Sequence, residues 1–176
     1  MRTIEQDECN CFMTVLRKYL EHVSAPTIFI ETGTCDGCTT IAAAKYFDQV
    51  ITVENNIDPA RAAIYEKIQT DNPGHITIIK DTSAEFLGKL LPTMSKQLCF
   101  LLDAHNSYNS PLKQELEAIC AHSSRKDHVI MIDDTVDCGH GNWPTYDQMI
   151  ALLKAINPNY TIIQTSIGRN VVIAFP

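Results

Sequence analysis

The chain has 176 residues, which suits one domain of ordinary size. Its 14 basic residues stand against 21 acidic ones, a formal net charge of −7, so it lacks the basic footprint that nucleic acid or an anionic membrane requires. Hydrophobic residues at 45% exclude wholesale disorder, and the uncharged run Val23–Ile30 is far too short to span a bilayer.

Residues 3–22 predict a helix, with Cys11, Phe12, Val15, Leu16 and Leu20 at helical spacing. Ala25-Pro26 ends it, because the residue before a proline is pushed out of the helical region. Residues 27–31 (TIFIE) then read as a buried strand, 33–37 as a turn and 39–47 as a helix. A second strand at 50–53 (VITV) is closed by Glu54, and a helix at 59–69 carries proline in its first turn, where the missing N–H does no harm. The alternation continues with a strand at 75–79, a helix at 83–91, a strand at 98–102 ending at Asp103, and a helix at 111–122. A fifth strand at 128–132 ends at Asp133-Asp134, a helix follows at 144–156, and strands at 160–164 and 170–174 form a hairpin through Ile167-Gly168-Arg169.

Five apolar strands alternating with helices predict an α/β protein: a three-layer, doubly wound, Rossmann-like sheet in one domain, with the terminal hairpin adding antiparallel strands. Residues 1–24 are the N-terminal helical segment, and 25–176 the core. In such folds ligands sit beyond the carboxyl ends of the strands. The acids concentrate there: Glu31, Glu54, Asp81, Asp103 and the pair Asp133-Asp134 each close a strand. The seven cysteines, odd in number and with no signal peptide ahead of them, read as thiols in a reducing compartment, so a cytoplasmic protein is expected. Cys35-x-x-Cys38 lacks a second pair of matching spacing, which disfavours zinc.

Phe29 to Gly37 turns a strand into a helix through two glycines, Gly33 and Gly37. The spacing Gly33-x-x-x-Gly37 fails the dinucleotide fingerprint G-x-G-x-x-G, and Glu31 two residues ahead would repel a pyrophosphate while suiting an ammonium group. An NAD-dependent oxidoreductase is thereby disfavoured, though not eliminated. The run ETGTCDG at 31–37, followed by Thr39-Thr40 and by Glu54 after the second strand, resembles the class I S-adenosylmethionine-dependent methyltransferases. The resemblance covers residues 25–176 and implies that family's seven-stranded sheet with a reversed last strand. It implies that Glu31, Thr32, Gly33, Thr34 and Gly37 line the cofactor, with Glu31 and Gly33 at its amino-acid end. Glu54 would take the ribose hydroxyls, Asp81 and Ser83 would border the adenine, and Asp103 would also face the cofactor. Thr34 and Cys35 stand where the family has its middle glycine.

The stretches Leu101–His105, Pro111–Ile119, Met131–Asp134 and Trp143-Pro-Thr look similar to small metal-dependent O-methyltransferases of the macrolide-sugar type. That likeness implies a divalent metal, magnesium above all, on Asp103, Asp133 and Asp134, and a base at His105. The residues themselves agree in chemistry. Three carboxylates converging at one sheet edge repel each other unless a cation joins them, and oxygen ligands suit magnesium, calcium or manganese. A divalent ion lowers the pKa of a bound hydroxyl, and a histidine near its ordinary pKa can take the proton.

The expectation is therefore an S-adenosyl-L-methionine-dependent methyltransferase acting on a small-molecule hydroxyl, with neither nucleic acid nor membrane as partner and with a homodimer open. Its rival is a non-catalytic module that binds S-adenosylmethionine or S-adenosylhomocysteine, since no insertion long enough for an acceptor lid stands out. His22, His75, His122 and His128 read as structural. The glycine-containing stretch Asp137–Trp143 reads as a loop at the active edge, with Trp143 either lining an acceptor pocket or stapling the next helix.

Overall fold

The computed structural model describes Met13, Leu16 and residues 26–106, 108–166 and 170–176. Seven strands form one sheet: β1 (Ile28–Thr32), β2 (Gln49–Glu54), β3 (Ile76–Lys80), β4 (Leu98–Leu102), β5 (Val129–Ile132), β6 (Thr161–Thr165) and β7 (Val171–Phe175). Their order is β3-β2-β1-β4-β5-β7-β6. β1 to β5 are parallel, and β7 runs antiparallel to both β5 and β6. The expected doubly wound sheet with a terminal hairpin is what forms. The hairpin's linking residues 167–169 lie outside the described residues.

Alternation along β1 sorts two cores. Ile28 and Ile30 face the layer of α3 (Ser83–Leu90), α4 (Leu112–His122) and α5 (Tyr146–Ile156), where Leu87, Leu116, Ile119 and Leu153 are fully buried. Phe29 faces the layer of α1 (Cys38–Ala43) and α2 (Pro59–Asp71). Met13 and Leu16, both helical, are buried in that second layer; the rest of the helix expected at 3–22 lies outside the described residues. Burying a Leu, Ile or Phe side chain stabilises a fold by about 1.5–3 kcal/mol, so these two apolar layers supply the main drive to this architecture. Among the described residues no helix is long and apolar enough to cross a membrane.

Several boundaries move for local reasons. The helix expected to run to Phe47 stops at Ala43, because Lys45 and Tyr46 donate back only three residues, to Ala42 and Ala43, which tightens the last turn. The helix expected from Pro144 begins at Tyr146, since Thr145 and Gln148 form a capping box. α4 begins at Leu112, whose N–H donates to the Ser110 hydroxyl.

The register sets the site. Thr32 stands beside Val53 on one side and Leu102 on the other, and Leu102 beside Ile132, so β1, β2, β4 and β5 end level. The ladder continues past the strands: the Asp103 N–H donates to the Thr32 carbonyl at 3.1 Å, and the Asp133 N–H to Leu102 at 3.2 Å. The chain reverses sheet direction between β1 and β4, the switch point at which such sheets bind ligands.

Candidate functional site

The loop after β1 crosses this switch point. Gly33 (φ +87°) donates its N–H to Val53 at 2.9 Å, and Gly37 (φ +76°) donates to Thr34 at 2.8 Å. Between them Cys35 takes φ +47°, a left-handed turn that costs a side-chain-bearing residue about 1–2 kcal/mol. Its partners offset that cost. The Cys35 N–H donates to Glu54 Oε2 at 3.2 Å, and its carbonyl accepts the Tyr65 hydroxyl at 2.6 Å. The left-handed backbone that glycine takes most easily is held here by tying Cys35 at both its N–H and its carbonyl. Glu54 Oε1 takes the Asn56 N–H at 3.0 Å, so both oxygens of this strand-end acid are aimed at backbone and each keeps a lone pair to share.

Glu31 lies within β1 and is buried on the α1 side of the sheet. The Thr40 hydroxyl donates to its Oε2, and Thr52 also bonds its carboxyl. Burial pushes its pKa up to about 7, against those hydroxyls and with some help from the Glu54 charge. Thr34, hydroxyl to hydroxyl with Thr52 at 2.7 Å, completes a buried polar support beneath the glycine loop. Thr32, one residue on, faces the opposite layer.

There it meets Glu115, which is 1% exposed in the middle of α4. Ser83 and Thr32 hydrogen-bond the Glu115 carboxyl, yet Oε1 finds no partner. Burial raises this carboxyl to about 7 as well. Ser83, expected at the adenine, is thus buried at the start of α3 with its hydroxyl engaged by Glu115. Asp81 sits at the surface, its Oδ1 accepting the Thr82 N–H at 2.9 Å and its Oδ2 paired with Lys89 at 2.7 Å; that pairing holds its pKa down.

The second half of the site gathers at the ends of β4 and β5. Asp103, His105 and Asp134 bring ligand atoms within 4.8 Å of one another. His105 Nε2 lies 2.8 Å from Asp134 Oδ2 and 3.8 Å from Asp103 Oδ1. Asp133 stands beside this group rather than in it, with Oδ1 accepting the Asp134 N–H at 2.7 Å. Asp134 itself takes φ +52°, a conformation that aspartate tolerates better than most residues. The Asp103 pKa is raised well above the carboxylate range, chiefly by burial and then by the charges of Asp133, Asp134, Glu31 and Glu115. The His105 ring leans on Trp143, with centroids 5.5 Å apart and planes at 53°. Trp143 is 6% exposed, and its Nε1 finds no partner. The indole packs in the core with α5 and lies against the His105 ring.

This arrangement fits a divalent cation on chemical grounds. Carboxylate oxygens are good ligands for such an ion, those of Asp103 and Asp134 lie within 4.8 Å of each other, and a positive charge offsets the like-charge crowding that adds to the effect of burial at Asp103. It also fits a cationic cofactor across the switch point, with Glu54 beside the loop and no pyrophosphate-type glycine run. Three parts escaped the reading of the sequence: the hydroxyl support of Thr40 and Thr52 under Glu31, the Tyr65 bond to Cys35, and Glu115. Only Glu115 left a signal, since an acid at 115 interrupts the apolar stripe Leu112, Leu116, Ile119.

No protein-family model matches the sequence, and no curated protein matches it. Solved structures do share its fold. A Staphylococcus aureus protein assigned as a caffeoyl-CoA O-methyltransferase superposes with a TM-score of 0.66 at 14% identity, over 94% of this chain and 82% of that one. A Podospora anserina methyltransferase bound to S-adenosylhomocysteine gives 0.63 at 13% identity, over 99% and 79%. A Klebsiella pneumoniae protein assigned as an O-methyltransferase gives 0.61 at 17%, over 99% and 81%. The chain therefore has the class I methyltransferase fold, reversed last strand included.

Proposed function

We propose that this protein is an S-adenosylmethionine-dependent methyltransferase that acts on a small-molecule hydroxyl with the help of a divalent cation. One observation carries the reading. On a methyltransferase sheet, at the strand ends where a cofactor and an acceptor would meet, His105 is paired to Asp134 at 2.8 Å and flanked by Asp103. A basic imidazole oriented by a carboxylate is the standard equipment for taking a proton from a hydroxyl.

S-adenosylmethionine, when bound, supplies an electrophilic methyl group on a sulfonium, and a cation held by Asp103 and Asp134, with the Asp133 charge beside them, would lower the pKa of a bound hydroxyl. The chain's own residues do the rest. Gly33, Thr34 and Cys35 would bring backbone close to the cofactor, and Glu54 would take its ribose hydroxyls. Glu31, Thr40 and Thr52 hold the loop from below. His105 would take the proton of the acceptor hydroxyl, and Asp134 would steady the imidazolium that results. Trp143 excludes water from one side of the imidazole. The protein's main contribution is placement of the two reactants, an effect that reaches about 7–11 kcal/mol in well-aligned intramolecular reactions.

Calorimetric titration of the full chain with S-adenosylmethionine and S-adenosylhomocysteine, each with and without Mg²⁺ and with NAD as control, tests this reading. Micromolar binding of the first two and none of NAD is expected. Binding without turnover across a panel of small hydroxylated acceptors would favour the non-catalytic module, and no binding at all would overturn the reading.

A further inference from the structure

Two loops carry the acids and the histidine, and, besides the His105–Asp134 pair, Asn142 joins them. The Asn142 N–H donates to the Tyr108 carbonyl at 3.2 Å, and the Asn142 side-chain Oδ1 accepts the Ser110 N–H at 2.7 Å. Beside it, Gly141 (φ +57°) approaches so closely that a Cβ would stand 2.1 Å from the Tyr108 carbonyl oxygen. Both ends of this clasp lead into the site. Tyr108 and Ser110 belong to the loop after β4 that carries His105. Asn142 immediately precedes Trp143, against whose ring the His105 imidazole leans.

The clasp acts on stiff parts. Asn106 and Asn109 exchange backbone hydrogen bonds of 2.8 and 2.6 Å, which folds the first loop on itself. Ser110 is buried, and its hydroxyl accepts the Leu112 N–H at the start of α4 at 3.1 Å. On the other side the Trp143 N–H donates to His140 at 3.0 Å, and the Gly139 N–H to Pro144 at 3.1 Å. A shift at Asn142 therefore passes to the His105–Trp143 pair instead of being absorbed.

We propose that Asn142 is a positioning residue, whose side chain holds the loop of His105 against the loop of Trp143 and so fixes the imidazole in place. The catalytic part of this inference rests on His105 being the proton acceptor. Any residue but proline supplies the backbone N–H; the Oδ1 is what asparagine adds. Asn142→Ala removes it and leaves the buried Ser110 N–H unpaired, whereas Asn142→Asp keeps an acceptor oxygen of the same reach.

Trp143 is the sole tryptophan, so the full chain labelled with ¹⁵N gives a single indole N–H signal. His105→Asn calibrates how that signal moves when the imidazole is lost. Asn142→Ala is expected to move it in the same direction and to make Trp143 more open to acrylamide quenching, while Asn142→Asp restores both. Calorimetric binding of S-adenosylmethionine should stay within about twofold, and kcat with a competent acceptor should fall about tenfold at unchanged KM, as misplacement of a reacting group predicts. If Asn142→Ala does not fold, Asn142→Ser carries the same expectation. An indole signal that stays put in the variant, with or without a lower thermal midpoint, overturns the proposal. A signal that moves in a protein that binds no S-adenosylmethionine upholds the clasp and overturns the proposed activity instead.

Discussion

A Cβ on Gly33 would stand 2.7 Å from the carbonyl oxygen of Asp103, so the loop after β1 and the acid after β4 meet backbone to backbone. The proposed cofactor loop and the proposed acceptor-side acids are thus two sides of one contact. Asp103 reinforces it, since its N–H lies 3.3 Å from the Thr32 hydroxyl as well as bonding the Thr32 carbonyl. A change on the cofactor side of this contact should be felt by the carboxylates.

Gly33→Ala tests the contact directly. Alanine at φ +87° costs about 1–2 kcal/mol for the left-handed backbone, and pressing its Cβ on a carbonyl adds about 1–3 kcal/mol of overpacking. A loss near 3 kcal/mol corresponds to a fall of roughly 10 °C in thermal midpoint for a chain of this size. S-adenosylmethionine binding should weaken with it. A variant with an unchanged midpoint would show that the loop and β4 do not press on each other.

Glu54→Gln separates charge from shape. The carboxylate takes the N–H groups of Cys35 and Asn56 on its two oxygens, and glutamine has only one oxygen to offer. Charge-assisted hydrogen bonds contribute about 1.5–3 kcal/mol, so cofactor affinity should fall by about 10- to 100-fold. If Glu54 holds the ribose, calorimetry should show equal losses for S-adenosylmethionine and S-adenosylhomocysteine. A loss confined to the sulfonium form would place Glu54 at the charge and not at the sugar.

For the pair at the sheet edge, two substitutions divide the roles. His105→Asn should lower kcat by about 10²–10⁴, the usual worth of a general base, while leaving the cofactor dissociation constant unchanged. Asp134→Asn keeps a residue at ease with φ +52°, so the thermal midpoint should hold while calorimetric affinity for Mg²⁺ or Mn²⁺ falls at least about tenfold. Undiminished metal binding in Asp134→Asn would remove Asp134 from the ligand set, and an unchanged kcat in His105→Asn would remove the base.

Much of this was legible in the sequence. Buried strands such as Leu98–Leu102 announce themselves as unbroken apolar runs, and acids closing several of them mark one sheet edge. What stayed hidden was direction. Strand periodicity alone does not say that Glu31 faces α1 while Thr32 faces α4, because both faces of β1 are buried and nothing alternates. Nor does the order Asp133-Asp134 say which carboxylate meets His105; the left-handed turn at Asp134 decides that. The clasp at Asn142 joins residues about thirty positions apart, so no local pattern could show it. Of the histidines read as structural, His128 is placed by the fold in the core between β4 and β5.

That histidine and the two buried glutamates set opposite limbs of the pH–stability curve. His128 Nδ1 accepts the Leu98 N–H at 3.1 Å, its Nε2 lies 2.6 Å from the Ser123 hydroxyl, and Phe100 meets its ring edge-on. The neutral ring satisfies this setting, and burial pushes its pKa down to about 4. Its contribution is present above the unfolded value near 6.5 and is lost as pH falls through about 4, at about 1.4 kcal/mol per unit within that window. Glu31 and Glu115 run the other way. Each is raised from 4.5 to about 7, so their contribution is complete below 4.5 and is lost as pH rises through about 7. The cofactor-free protein should therefore have its highest thermal midpoint in mild acid, with a decline toward pH 8 to which Glu31, Glu115 and the raised Asp103 contribute. Glu115→Gln keeps the shape and removes one of them. Calorimetric scans across pH 4–9 should show a shallower alkaline limb in the variant and an unchanged acid limb. An alkaline limb as steep as that of the parent would mean that Glu115 is ionised, and paired, in the folded protein.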